Sequence, residues 1–356
     1  MGVASFGAPN LAAGPSETAT GDPLQPITHP ISKRKLPALT AGVITPLYTP
    51  AKEGGNLDST GLAKYVDWLA KDPNINGLFV RCGVGRMFTF TRDEIREAVD
   101  VTTEAAAGRK FLQFGTFGEF NGNHFDRPDP QRYVEDSVEL SRYAEEKGAA
   151  GVVLLMPYML LPKRGESIED LVYGYVATVA GAIGISVTLY NPPSVPRDYS
   201  LGPDLLKRLT TIPNVVGAKI SSTQMAWFSR LEEAAEGTSF SIISGTEWAY
   251  YQALMTGSLG VIGGGCNVYP GIINALYRAF MDGKYDVARK IQWDVNHASS
   301  SFRGYSGSSG ALSYLRAKGL EIEPWDKSGK PLAPMEEALA KAADLDSLIE
   351  KYAVKR

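Results

Sequence analysis

A chain of 356 residues, 44% hydrophobic and 21% charged, has ordinary globular composition and ample length for a large core. Its net charge of −3 gives no reason to expect nucleic acid or an anionic membrane as partner, and no apolar run approaches the roughly 18 residues a membrane helix needs. Three histidines (His29, His124 and His297) have no ligand spacing, which argues against a histidine-built metal site, and two distant cysteines, Cys82 and Cys266, fit a reduced, cytoplasmic chain without a disulfide framework.

Residues 1–36 are rich in Ala, Gly, Pro, Ser and Thr and lack periodicity. They read as an N-terminal arm, either poorly ordered or strapped across the bottom of the folded domain. The start has no secretory pattern, and Phe6 stands where a myristoylation signal needs Ser or Thr. From Thr40 the pattern alternates. Strands are expected at Ala41–Pro46, Gly77–Cys82, Phe111–Thr116, Gly151–Met156, Ile185–Tyr190, Val215–Lys219, Phe240–Ser244 and Leu259–Ile262. Helices are expected at Ser59–Ala70, Arg92–Ala107, Pro130–Lys147, Ile168–Ala182, Pro203–Leu209, Gln224–Ala235, Glu247–Met255 and Pro270–Asp282. Eight such units over residues 37–283 predict an α/β fold, a (β/α)8 TIM barrel. A doubly wound sheet would show a phosphate-binding glycine loop after its first strand, and Ile44-Thr45-Pro46 leads into none. Residues 284–356 read as a C-terminal helical extension, with helices at Tyr285–Ser300, Ala311–Lys318 and Met335–Lys351 and a polar connection over 324–331.

Active sites of such barrels lie at the C-terminal strand ends. Strand six delivers Lys219 there, and strand five delivers Tyr190. Ser221, Ser222 and Thr223, just beyond, suit the cap of the next helix. A dry barrel mouth disfavours an ammonium and pulls its pKa to about 7–8, so the amine becomes available to condense with a ketone. The protonated imine then draws electrons from the neighbouring carbon, and a phenol can shuttle protons. A lone lysine at a strand end can equally be a solvated rim charge. Bare amides in the Cys82–Arg86 and Gly263–Gly265 loops could bind a carboxylate or merely serve tight turns. Cys82 and Cys266 have no histidine placed to activate them and read as buried thiols. Glu119 and His124 read as rim hydrogen-bonding groups, and Phe117, Phe120, Tyr158, Met159 and Leu160 hint at an apolar pocket.

Several stretches in order resemble one family: Val43-Ile-Thr-Pro-Leu47, Gly-Asn-Leu-Asp58, Pro157-Tyr158, Leu189-Tyr-Asn-Pro-Pro-Ser194, Val216-Gly-Ala-Lys-Ile220, Ser244-Gly245 and Leu259-Gly-Val-Ile262. Over about residues 37–320 the chain resembles the superfamily of dihydrodipicolinate synthase and N-acetylneuraminate lyase, class I lysine-dependent aldolases. The resemblance implies that Lys219 is the Schiff-base lysine and Tyr190 the proton-relaying tyrosine. It implies that the Gly83–Val84 loop binds the carboxylate of a 2-oxo acid and that Tyr158, Gly245 and Ile262 line the pocket. It also implies a homo-oligomer, tetramer or dimer, that needs no metal or organic cofactor.

The departures narrow the expectation. The family's second-strand loop usually carries hydroxylated residues and a glutamate, where this chain reads Cys82-Gly83-Val84-Gly85-Arg86. Met159 replaces the synthase's second tyrosine, and Val195 replaces the arginine that binds its aspartate-semialdehyde half. The expected activity is therefore a Schiff-base lyase for a pyruvate-type 2-oxo acid other than the lysine-biosynthetic synthase. The alternatives are a 2-keto-3-deoxy sugar acid dehydratase using the same imine, and a catalytically altered barrel that only binds a small molecule.

Overall fold

A computed structural model describes residues 21–123, 125–305 and 307–353. Eight parallel strands close into a barrel: β1 (Gly42–Pro46), β2 (Gly77–Val80), β3 (Phe111–Gly115), β4 (Gly151–Leu155), β5 (Ser186–Asn191), β6 (Val215–Ile220), β7 (Ser241–Ser244) and β8 (Gly260–Val261). Each pairs with its neighbour in sequence, and β8 returns to β1. Helices outside and side chains inside cover both strand faces, so unbroken apolar runs such as Gly151-Val-Val-Leu-Leu155 are buried throughout.

The outer helices are α1 (Ser59–Ala70), α2 (Arg92–Ala106), α3 (Pro130–Glu146), α4 (Ile168–Ala180), α5 (Pro203–Leu209), α6 (Met225–Ala234), α7 (Tyr250–Thr256) and α8 (Pro270–Met281). Their starts are chemically marked. Thr91 with Glu94 and Ser167 with Asp170 form capping boxes, and Asp58 and Asp129 accept from the first-turn amides of α1 and α3. The helix expected at Glu247–Met255 instead opens with a 3-10 turn, Glu247–Ala249, because Thr246 accepts from the Trp248 amide.

The extension contains α9 (Tyr285–Ser300), α10 (Ser309–Ala317), α11 (Met335–Lys341) and α12 (Ala343–Tyr352). One helix was expected over Met335–Lys351. The chain bends at Ala342 (φ −99°, ψ 16°), and Ala338, Ala342 and Leu345 are fully buried. The stretch read as a polar connection is built into the domain. Trp325–Asp326 pairs antiparallel with Pro50–Ala51, and Asp326 and Lys327 are buried.

Residues 1–20 of the expected arm lie outside the described residues. Residues 26–28 and 35–37 form a short antiparallel hairpin at the N-terminal end of the barrel. Its Arg34 makes a buried ion pair with Glu232 of α6, and His29 Nε2 hydrogen-bonds the Leu254 carbonyl at 2.9 Å. The hairpin then leads into Thr40, whose Oγ1 lies 2.6 Å from Ser241 Oγ at the foot of β7. No helix among the described residues is long and apolar enough to cross a membrane.

Candidate active site

Strands β5 and β6 set the geometry. Val187 pairs with Val215, but Thr188 pairs with Gly217, so the ladder skips Val216. That one-residue bulge puts Tyr190 opposite Lys219 rather than opposite Ala218. Paired residues of a parallel ladder face the same way, so both side chains enter the barrel. The Lys219 amine sits 4.3 Å from the Tyr190 ring centroid and 5.5 Å from that of Phe79 on β2. Phe79 and Tyr190 meet edge to face at 6.0 Å.

Both polar groups are nearly dry, Lys219 being 4% and Tyr190 also 4% exposed. Burial pulls the Lys219 amine down to about 8, only partly opposed by Cys82, Cys266 and Glu247 nearby. Burial pushes the Tyr190 phenol up; the Cys82 thiol adds to this and the Ser221 hydroxyl offsets part of it. Lys110, at the opposite end of the barrel, is also lowered to about 8 by burial. Its amine, however, is held by the carbonyls of Asp72 and Ile75 at 2.7 and 2.6 Å. Lys219 has no hydrogen-bond acceptor among the described residues and faces aromatic rings instead. Its nitrogen lone pair, once exposed by proton loss, is not committed elsewhere.

A cavity of about 520 Å³ opens at the C-terminal strand ends. Its wall includes Tyr48, Val84, Pro193, Ser221, Ser222, Thr223, Gln224, Gly245, Thr246, Glu247, Trp248 and Gly264. Lys219 and Tyr190 are not part of this wall; Lys219 lies two residues before Ser221, which is. Of the expected site residues, Val84 and Gly245 line the cavity. Gly83 lies directly against the phenol: a Cβ added there would stand 2.7 Å from the Tyr190 hydroxyl. Tyr158 and Ile262 are buried, each 1% exposed, and are not part of the cavity wall. Tyr158 packs edge-on against Phe120 at 5.8 Å. None of Phe117, Phe120, Tyr158, Met159 and Leu160 lines this cavity; all five are buried, and Phe120 lines a separate depression with Phe88 and Phe90. The open cavity has a mixed wall, with Tyr48, Val84, Pro193 and Trp248 beside the polar side chains of Ser221, Ser222, Thr223, Gln224, Thr246 and Glu247.

The second-strand loop folds on itself. The Gly85, Arg86 and Met87 amides bond back to Cys82 and Gly83 carbonyls. The Gly83 and Val84 amides have no oxygen acceptor among the described residues. Beneath the loop, buried Arg81 reaches the carbonyls of Met87 at 3.2 Å and Gly118 at 3.1 Å and stacks 3.9 Å from the Phe117 ring. Arg86 ion-pairs with Asp326 at 3.1 Å. Across the mouth, Glu247 accepts from the Gly265 amide and from the Tyr269 hydroxyl, both at 2.9 Å, and so holds the loop after β8. Tyr48 donates to the Gly264 carbonyl at 3.0 Å.

Tyr48, Ser221–Thr223 and Glu247 are absent from the expected site. Ser221–Thr223 do not cap α6, whose cap position is Gln224; they face the cavity. The signal was available: Ser221 follows Lys219 by one strand period, and Tyr48 and Glu247 lie just past strand ends. Glu119 accepts from the Arg92 amide at the start of α2, and His124 lies outside the described residues. Cys82 and Cys266 are free, buried thiols that burial pushes up.

A family model, the Dihydrodipicolinate synthetase family, matches residues 39–344. The chain belongs to that family. It is thus an aldolase-type lyase, of the superfamily of Schiff-base aldolases. It is 32% identical over 254 residues to the 4-hydroxy-tetrahydrodipicolinate synthase of Methanoculleus marisnigri, covering 71% of this chain and 79% of that one. It is 29% identical over 256 residues to that of Nitratidesulfovibrio vulgaris strain Miyazaki F, covering 71% and 80%. The barrel also matches solved structures. A Ruminococcus gnavus sialic acid aldolase catalytic lysine mutant superposes with a TM-score of 0.75 at 21% identity, over 88% of this chain and 98% of that one. Dihydrodipicolinate synthase from Aquifex aeolicus gives 0.72 at 23%, over 89% and 100%. These likenesses to solved structures carry the fold alone.

Proposed function

We propose that the protein is a Schiff-base-forming lyase for a pyruvate-type 2-oxo acid, with Lys219 as the imine lysine and Tyr190 as the proton carrier. The carrying observation is a buried amine lowered to about 8, without a hydrogen-bond acceptor, stacked on a phenol two residues before the cavity-lining Ser221. The neutral amine attacks the C2 carbonyl of the 2-oxo acid, and water leaves with the help of the phenol's proton. As the phenolate takes the proton of the C4 hydroxyl, the protonated imine accepts the electron pair of the C3–C4 bond, releasing an aldehyde and leaving an enamine. Protonation at C3 and hydrolysis return pyruvate and the free amine.

The Gly83 and Val84 amides, which have no oxygen acceptor among the described residues, supply the donors for the carboxylate. Val84 contributes no hydroxyl, so this end rests on the backbone. The hydroxyls of Ser221, Ser222, Thr223 and Thr246 in the cavity wall suit an aldehyde half bearing hydroxyl groups, and Pro193 and Trp248 offer it apolar contact. Val195 and Met159, buried and apolar, supply no cation or phenol for an aspartate-semialdehyde half, which argues against the activity named for the curated relatives. The same wall also suits a dehydratase acting on a 2-keto-3-deoxy sugar acid through the same imine. Product analysis separates them: pyruvate plus aldehyde from one, a deoxygenated oxo acid from the other. A barrel that only binds would retain its ligand in Lys219→Ala and turn over no 2-oxo acid. The family resemblance favours a homo-oligomer, which light scattering of the purified chain reads directly.

The test is borohydride reduction in the presence of pyruvate. Mass spectrometry should find the adduct on Lys219, and labelling elsewhere or nowhere sinks the proposal.

A further inference from the structure

The stretch Cys82–Gly85 is bracketed by two non-glycine residues in the left-handed region, Arg81 (φ 57°) and Arg86 (φ 62°). Such a residue is strained and persists only where its surroundings hold it. Arg81 is held from within the barrel, by the Met87 and Gly118 carbonyls and the Phe117 ring. Arg86 is held from the C-terminal extension.

There, Asp326 points one carboxylate oxygen at Arg86. Its other oxygen accepts from the Ser328 amide at 2.9 Å, the Ser328 hydroxyl at 2.6 Å and the Lys330 amide at 3.1 Å. The Asp326 side chain is 3% exposed and its backbone pairs with Pro50, so the carboxylate cannot follow the arginine if it moves. Gly307, before α10, closes the other side: a Cβ there would lie 2.9 Å from an Arg86 guanidinium nitrogen. Beside Asp326, Lys327 donates to the carbonyls of Gly55 at 2.9 Å and Thr89 at 3.1 Å and to Glu94 at 2.9 Å. The extension therefore grips the chain at Arg86 and again at Thr89, on the side of the loop away from Tyr190.

We infer that Asp326 is a positioning residue for the 2-oxo acid site, holding the Gly83–Val84 amides in place through Arg86. The inference rests on the proposed Schiff-base function. In this arrangement Arg86 is not an anion ligand: its charge is spent on Asp326, and the loop's geometry is what binds the carboxylate.

The experiment uses the full chain with Asp326→Asn, and the exchange Arg86→Asp with Asp326→Arg. Two quantities are measured. One is the concentration dependence of pyruvate trapping by borohydride on Lys219. The other is amide hydrogen exchange of residues 82–89 without ligand. Asp326→Asn should raise the half-saturating pyruvate concentration about tenfold, leave the saturating trapping rate within about twofold, and speed exchange in the loop. The exchanged pair should recover most of both losses. Unchanged or tighter half-saturation in Asp326→Asn overturns the inference, the tighter result meaning that a released Arg86 binds the carboxylate itself. A fall in saturating rate without a change in half-saturation also overturns it. If the wild-type chain traps no pyruvate, the proposed function has failed, and the inference falls with it even where the exchange result shows that Asp326 restrains the loop.

Discussion

Lys219 carries two opposed burdens. Its folded pKa, about 8, is below the ordinary 10.5, so the native state resists the proton. Below pH 8 the penalty of burying the ammonium is fully present, and it vanishes as pH rises from about 8 through 10.5. Lys219→Met should therefore raise stability by about 3 kcal/mol at pH 7, by the 1.36 kcal/mol attached to each pKa unit. The gain should shrink in thermal melts taken at progressively higher pH across that window. The same substitution should abolish adduct formation. For the wild type, trapping with pyruvate should climb about tenfold per pH unit below about 8 and level off above it; a rise continuing to pH 10 would mean an amine in contact with bulk water. Tyr190→Phe keeps the ring against Lys219 and removes the proton, so turnover should drop by about 10²–10⁴-fold with little change in melting temperature. At this scale Lys219 and Tyr190 were legible because each ends an apolar run. Ser221–Thr223 were not, because short hydroxyl residues before a helix satisfy a cap and a cavity wall equally well.

Among the elements, the β5–β6 ladder matters most. The bulge at Val216 decides whether the amine meets the phenol, since a ladder one residue out of step sends one of them outward. Nothing in Val215-Val216-Gly217 announces it; the skipped residue is set by how two strands fit around a closed barrel. The N-terminal hairpin is held chiefly by Arg34 against Glu232, whose carboxyl burial pushes up and the guanidinium pulls back down. Arg34→Ala should destabilise by about 3 kcal/mol, because it strips a buried carboxylate of its partner. A denaturant midpoint unchanged from wild type would show that the hairpin contributes nothing to the fold. Asp58, Thr91, Asp129 and Ser167 cap α1, α2, α3 and α4, each standing next to the helix start expected from periodicity, since a cap is a local contract between neighbours in sequence.

Across the whole molecule, the extension and the barrel mouth share one buried ion pair. Lys327 has a side chain 2% exposed and meets Glu94 and two carbonyls of the mouth. Lys327→Ala should cost about 3–5 kcal/mol, and the chain should still melt in a single transition, because mouth and extension lose the same partner together. Two separated transitions would refute that coupling. The barrel itself was legible: eight apolar runs alternating with amphipathic segments can bury themselves in few other ways, and periodicity and caps are local quantities that a linear chain displays. The placement of Lys219 and Tyr190 at neighbouring strand ends was legible for the same reason. The bulge register, the cavity wall, the bend at Ala342 and the grip of Asp326 and Lys327 on the mouth were decided only by tertiary structure. Each depends on residues tens to hundreds of positions apart meeting at a distance that no local pattern encodes.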